Sequence, residues 1–249
     1  MALQQIFQQF KGNILFQTFI SMSNDTYSKQ KAGEYAATLI ENGLTVGIGT
    51  GSTVYFFIHA LANRIKEGLS IQAVPTSLKT QQLAAELGIP LIDLNNLDAI
   101  DITVDGADEI DPQLQLIKGG GGALLQEKIV AAASKKLVII ADESKLVKQL
   151  GHFPLPVEVI TFGWKQTQHH IEKLGCSKVV LRTKNEKTFV SDHGHYILDC
   201  FFEKINDTAM LHEQLNNIPG VVENGLFINM AGSAVIAYGD GSVKMLNSN

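Results

Sequence analysis

Four carboxylates fall within seven residues in Thr103-Val104-Asp105-Gly106-Ala107-Asp108-Glu109-Ile110-Asp111, directly after an apolar run. Carboxylates at the C-terminal end of a strand sit where α/β folds form their ligand crevices. Three uses fit this segment: acid–base chemistry, a divalent-metal site completed by further oxygen ligands, or a solvated turn capped by Asp. A second segment, Ile117-Lys118-Gly119-Gly120-Gly121-Gly122-Ala123-Leu124-Leu125-Gln126-Glu127-Lys128, places four glycines between a short apolar run and a helix. Glycines in regular structure forfeit roughly 0.5–1 kcal/mol each against alanine. A row of backbone N–H groups aimed at developing negative charge, with Lys118 beside it, accounts for that cost better than a linker does. Glu127 then lies in the opening turns of the helix, as a general base or as a surface carboxylate favoured by the helix dipole. The third segment is Gly47-Ile48-Gly49-Thr50-Gly51-Ser52-Thr53. It reads either as a tight strand-to-helix turn with Ser/Thr capping or as a phosphate cradle built on free helix-start amides. It has no Walker Lys, and no acidic residue ends the next strand to hold a dinucleotide ribose. Asp142-Glu143-Ser144-Lys145 reads as a strand-end turn with a capped helix start.

The elements that must position these residues are legible from periodicity. Ala32, Tyr35, Ala36, Leu39 and Ile40 fall at helical spacing, and Gly43 stops that helix. Leu44–Ile48 predicts a buried strand, Val54–Ile65 a helix, Ile71–Val74 a strand and Leu78–Leu87 a helix. Strands follow at Ile100–Val104 and Leu114–Ile117, then a helix over Ala123–Ala133 and a strand over Leu137–Ala141. This rhythm predicts an α/β fold: a Rossmann-like, mostly parallel sheet with helices on both faces. After Gly151 the texture changes. Phe153-Pro154-Leu155-Pro156 suits an extended crossing, and the elements beyond it predict a smaller α+β domain. The expected division is a loose extension over 1–24, a catalytic α/β domain over 25–152 and 221–249, and the small domain over 153–220. Met22 is an alternative start within that extension.

Composition removes several function classes. The 249 residues carry 20 Lys+Arg against 25 Asp+Glu, a net charge of -5 with no basic block, so no nucleic-acid partner is expected. Two cysteines, Cys176 and Cys200, cannot make a disulfide framework or a four-ligand zinc site. A reduced, cytoplasmic setting follows, with no membrane span and no export signal expected.

Together the segments resemble ribose-5-phosphate isomerases of the A type. GIGTGST (Gly47–Thr53), Pro75-Thr76-Ser77, VDGADEID (Val104–Asp111), KGGGGALLQEKI (Lys118–Ile129), ADESK (Ala141–Lys145) and FPLPVEV (Phe153–Val159) occur in the family's order, from about Ser28 to the end. The resemblance implies interconversion of D-ribose 5-phosphate and D-ribulose 5-phosphate in the pentose phosphate pathway, without metal or organic cofactor. It implies Glu127 as the proton-shuttling base. Thr50, Gly51, Ser52 and Thr53, then Asp105, Gly106, Ala107 and Asp108, then Lys118, Gly119, Gly120 and Gly121 are implied to line the sugar phosphate. Asp105, Asp108 and Lys118 also join the catalytic set, with Lys145 at the border and Lys31 reaching the phosphate. A small-molecule sugar phosphate is the implied partner and a homodimer or homotetramer the implied assembly. Gly122 stands where another small residue is common, and no effect of that difference is expected.

The chemistry of the residues agrees. Aldose–ketose isomerisation moves a proton between neighbouring carbons, and one carboxylate can do both transfers across a cis-enediolate. Burial can raise Glu127 from a reference pKa of about 4.3 towards the range of a general base. Each fixed donor to the enediolate is worth ~3 kcal/mol in the transition state. Three rivals share such a sheet: a sugar-phosphate sensor without chemistry, an amino-sugar-phosphate deaminase and an acyl-CoA transferase. The deaminase needs a placed His, for which His152, His169 and His170 are the candidates. The transferase needs a nucleophilic Glu on a strand end.

Overall fold

The computed structural model describes the backbone of residues 14–248 and side chains from Asp25 onwards. Its main sheet is made of β1 (Thr45–Ile48), β2 (Gln72–Pro75), β3 (Ile102–Asp105), β6 (Leu137–Asp142), β14 (Ser233–Ala237) and β15 (Val243–Asn247). Their order is β15-β14-β6-β3-β1-β2, parallel throughout except for the antiparallel β14–β15 hairpin. The apolar runs are nearly continuous because helices cover both faces. On β6, Val138 and Ile140 point into a core shared with α1 (Ile14–Thr38) and α2 (Ser52–Lys66). Leu137, Ile139 and Ala141 point the other way, to a core with Ile110, Leu116 and Phe227. Helix α3 (Leu78–Glu86) follows β2, and α4 (Leu124–Ala132) lies against β3.

The run before the four glycines does not enter the main sheet. It forms β5 (Leu116–Ile117), which pairs antiparallel with β4 (Glu109–Ile110) and β13 (Leu226–Phe227). Leu114 has φ 57° in the turn ahead of β5, which confines that strand to two residues.

A second antiparallel sheet has the order β12-β7-β11-β8, from β12 (Val221–Asn224), β7 (Leu155–Val159), β11 (Tyr196–Phe201) and β8 (Lys178–Leu181). With α5 (Trp164–Glu172) and α6 (Thr208–Asn216) it encloses its own core around Val157, Leu198 and Leu215. A hairpin of β9 (Thr183–Lys184) and β10 (Lys187–Thr188) extends from it. The return to the main sheet differs from expectation: Val221–Asn224 pairs with β7 of the small sheet, so the chain leaves that sheet at Gly225, crosses by way of β13 and rejoins the main sheet at β14. A side chain at Gly225 would meet the Lys118 carbonyl oxygen at 2.3 Å, so the crossing passes hard against the glycine segment.

The N-terminal part also differs. Helix α1 begins at Ile14, so residues 14–24 of the expected loose extension have helical backbone. Between Asn13 and Gly33 there is no Gly or Pro to stop a helix, which explains its upstream reach. Residues 1–13 lie outside the described residues. Among the described residues no helix is long and apolar enough to cross a membrane.

Candidate active site

The parallel sheet reverses its strand order at β1, with β2 on one side and β3 on the other. The carboxyl ends of β1 and β3 are therefore the topological switch point, where open α/β sheets bind ligands. Gly49 extends the pairing by donating to the Val104 carbonyl at 2.9 Å, and Thr50 N–H donates to Asp105 Oδ1 at 3.0 Å. A Cβ on Gly49 would lie 2.1 Å from that same carboxylate oxygen, so only glycine lets the loop approach it.

Helix α2 opens after Gly51, whose φ of 133° excludes an ordinary side chain and which provides no side-chain cap. The capped-turn alternative is thus not what forms. Ser52, Thr53 and Val54, the first residues of the helix, line a cavity of about 130 Å³. Thr50 turns its hydroxyl away into a cluster with Thr76 (2.9 Å), Ser77 (2.8 Å) and Thr80 (3.0 Å), which pins the loop to α3.

The four carboxylates of the Asp105–Asp111 segment diverge. Glu109 is buried and accepts from the Gly151 and Phe153 amides at 2.8 and 2.6 Å, tying the start of the crossing segment to β4. Asp111 accepts from Gln113 and Gln115 within its own turn. Only Asp105 and Asp108 face the glycine segment. Among the described residues no group of three or more His, Cys, Asp or Glu is arranged to hold a metal ion.

Lys118 is the hub. Its ammonium lies 3.0 Å from Asp105 Oδ2, 3.2 Å from Glu127 Oε2 and 2.5 Å from the Gly106 carbonyl oxygen. Burial works against its charge, but the Asp105 and Glu127 carboxylates win and hold its pKa above the ordinary lysine range. Glu127 projects from the first turn of α4 and is 4% exposed. Burial, reinforced by the Asp105 charge and partly offset by Lys118, raises its pKa to about 8. Its Oε2 makes no hydrogen bond, so its contact with Lys118 is an ion pair only. Asp108 is also raised, chiefly by burial, against the opposing pull of the Gly120 amide, Lys118, Lys145 and Arg182. Gly120 N–H donates to Asp108 Oδ2 at 2.7 Å.

The cavity unites most of the sequence-derived positions: Thr50, Gly51, Ser52, Thr53, Gly106, Ala107, Asp108, Lys118, Gly119, Gly120, Gly121, Glu127 and Lys145. Asp105 lies behind it, fully buried. Lys145 follows Asp142, which accepts from Ser144 N–H at 3.0 Å and so forms the expected capped turn, here a single 3-10 turn. Lys31 does not join. It pairs with Glu34 at 3.1 Å and lines neither cavity, while Lys29, about half a helical turn away and paired with Asp25 at 2.6 Å, lines the cavity. Two positions on a helix differ by about 200° in direction, so a helical lysine cannot be placed from a loose alignment. Gly122 corrects a second expectation: its φ is 86° and a Cβ would sit 2.4 Å from the Phe189 ring, so no other residue fits without a shift. Arg182 and Phe189, from the small sheet and its hairpin, border a larger adjoining cavity of about 730 Å³ that shares the Gly51 and Gly120 walls. Neither lies in a local motif; a cation following an apolar strand is the only sequence signal of Arg182, and Phe189 has none.

A glycine-lined switch point with a buried carboxylate–lysine cluster defines an α/β enzyme of the small-metabolite kind. The family model for "Ribose 5-phosphate isomerase A (phosphoriboisomerase A)" matches residues 72–241. A ribose-5-phosphate isomerase A of Bacillus cereus is 60% identical over 218 residues, covering 87% of this chain and 99% of its own. The solved ribose 5-phosphate isomerase from Plasmodium falciparum superposes with a TM-score of 0.86 at 40% identity, covering 90% of this chain and 98% of that one. A D-ribose-5-phosphate isomerase solved in complex with phospho-erythronic acid gives 0.85 at 40% identity, with 88% and 97% covered. The chain belongs to the ribose 5-phosphate isomerase A family.

His169 pairs with Glu172 at 3.2 Å on an exposed part of α5, and none of His152, His169 and His170 lines either cavity. Glu127 lies on a helix and not at a strand end, so the residues singled out for the deaminase and the transferase do not take the places those readings require.

Proposed function

We propose that this protein interconverts D-ribose 5-phosphate and D-ribulose 5-phosphate, with Glu127 as the single proton-transferring base. The observation that carries the reading is the placement of Glu127: a carboxyl raised to about 8 by burial, on a cavity wall, 3.2 Å from the Lys118 ammonium. The aldose binds with its phosphate at the Ser52–Val54 amides, where the helix start favours an anion and Lys29 adds a charge. Asp105 and Asp108 assist ring opening and hold sugar hydroxyls. In the open chain, ionised Glu127 removes the proton from C2 and the C1 carbonyl becomes an enediolate oxygen. The protonated carboxyl then returns that proton to C1, and the C2 oxygen, losing its own proton to the C1 oxygen by way of a cavity carboxylate, becomes the ketone.

Charge on the enediolate falls beside Lys118 and the free amides of the glycine segment, fixed donors in a water-poor pocket. A related enzyme binds phospho-erythronic acid, an acid whose planar carboxylate resembles an enediolate. That supports the same site serving a phosphorylated four- or five-carbon chain here. Assembly as a homodimer or homotetramer and a cytoplasmic location belong to the same reading; light scattering of the purified protein tests the first.

The test is ketose formation from D-ribose 5-phosphate in the presence of EDTA, wild type beside Glu127→Gln. The reading expects turnover that survives EDTA and disappears in the variant. A wild type that is thermally stabilised by the sugar phosphate but inert would identify a sensor instead.

A further inference from the structure

Four successive glycines have no side chains with which to hold a shape, and glycine loses more conformational freedom on ordering than any other residue. One hydrogen bond lies within the segment, Gly122 N–H donating to the Gly119 carbonyl at 3.0 Å, and the remaining peptide planes must be fixed from outside it. Asp108 receives the Gly120 N–H at 2.7 Å, but Asp108 is a reacting-site carboxylate and needs positioning itself. The other anchor comes from the small sheet.

Arg182 follows β8, and its own backbone is tied down on both sides: its N–H donates to the Ile197 carbonyl at 2.8 Å and its carbonyl accepts from Phe189 N–H at 2.9 Å. Its guanidinium is shared between two tasks. Nε donates to Asp199 Oδ2 at 3.0 Å and Nη2 to Asp199 Oδ1, a two-pronged pair that fixes the plane of the group. Nη1, the remaining arm, donates to the Gly119 carbonyl at 2.8 Å and the Gly120 carbonyl at 3.2 Å. The Phe189 ring stands 6.0 Å from the guanidinium carbon and closes over Gly122.

All peptide bonds described are trans, so each carbonyl and the following N–H point in opposite directions across one planar unit. Drawing the Gly119 carbonyl to Arg182 turns the Gly120 N–H towards Asp108, where it is found. Drawing the Gly120 carbonyl the same way turns the Gly121 N–H away from Arg182, at a residue that lines both cavities. We propose that Arg182, held by Asp199, is a positioning residue for the isomerisation: it sets the peptide planes of Gly119–Gly121 so that one amide orients Asp108 and the next faces the enediolate. This rests on the reading of the site given above. The small sheet thereby contributes to catalysis without touching the substrate, and the geometry of the reacting loop depends on how that sheet docks.

The experiment compares Arg182→Met, Arg182→Lys and Glu127→Gln by steady-state kinetics and thermal unfolding. Misaligned amides weaken the transition state more than the ground state, so kcat of Arg182→Met is expected to fall about tenfold or more, with KM within about threefold. Arg182→Lys keeps a charge for Asp199 but has no third arm in a fixed plane, so its kcat should lie between the two. Because the coupling runs through Gly120 to Asp108, the fold-loss on adding Arg182→Met to Asp108→Ala should be clearly smaller than in wild type. If Arg182→Met does not fold, Arg182→Lys and its cycle with Asp108→Ala carry the same test. Wild-type kcat in a folded Arg182 variant, or full additivity with Asp108→Ala, overturns the proposal. Parallel loss of kcat and Tm that stabilising salt restores also overturns it, since that is a purely structural role. An active Glu127→Gln would instead sink the assignment of the base, which is a separate failure.

Discussion

The Lys118 ammonium and the Glu127 carboxylate lie 3.2 Å apart, both almost wholly buried, with the carboxyl nevertheless raised to about 8. A single buried ion pair would hold Glu127 ionised. Here Lys118 is already engaged by Asp105 at 3.0 Å, so one cation faces two carboxylates and the second must bear its own desolvation. That imbalance leaves a carboxyl able to take up and release a proton near neutral pH.

The acid limb of kcat/KM should therefore report Glu127. The base must be ionised in the free enzyme, so activity falls as pH drops through about 8. The linked stability has the opposite sense. A carboxyl raised from 4.5 to about 8 in the folded state binds its proton more tightly there. Its stabilising contribution is complete below 4.5 and lost as pH rises through 8. Wild type should lose stability relative to Glu127→Gln across that window. A flat difference in urea unfolding between the two would remove Glu127 as the titrating group.

Lys118→Met should cost more than an ordinary core substitution. It leaves the buried Asp105 carboxylate without its counter-charge, a situation typically worth about 3–5 kcal/mol. Adding Asp105→Asn should restore much of that stability without restoring turnover, measurable by urea unfolding and the ketose assay together.

Lys29 and Lys31 separate cleanly. Both are paired, Lys29 with Asp25 at 2.6 Å and Lys31 with Glu34 at 3.1 Å, but Lys29 lines the cavity and Lys31 does not. Lys29→Met should raise KM for ribose 5-phosphate by roughly tenfold, the size of one lost charged hydrogen bond. Lys31→Met should leave KM within about twofold, since exposed pairs contribute little. The reverse ranking would return the phosphate contact to Lys31.

Gly122→Ala is expected to be harmful. Alanine must adopt a φ of 86° and also displace the Phe189 ring at 2.4 Å, so a loss above about 1 kcal/mol in unfolding free energy is expected. Pairing it with Phe189→Ala should relieve the steric part and leave the backbone part. An unchanged Tm in Gly122→Ala alone would show that the ring moves freely.

The local order of strand, loop and helix was determined by the sequence itself. Apolar runs such as Leu137–Ala141, and glycines after Ile48 and Lys118, follow from the periods of 2 and 3.6 and from backbone sterics, which act between near neighbours. The same short-range logic marked Asp105, Asp108, Lys118 and Glu127, because their residue types at a strand end or beside a glycine row have few cheaper explanations. It could not decide among the four carboxylates of 105–111. Their directions depend on what lies across the fold: Glu109 turns to the Gly151 and Phe153 amides, Asp105 to Lys118. Nor could it show that Lys29 rather than Lys31 faces the cavity, since α1 has polar residues around much of its surface in this stretch and its rotation is set by docking against α2 and β6. Arg182 is the clearest case. Its guanidinium reaches a carbonyl 63 positions earlier in the chain, and a hydrogen bond to backbone oxygen leaves no pattern in the partner's residue type. Glu127's raised pKa has the same origin: a charge is costly only where tertiary packing has removed the water, and burial is a property of the assembled fold.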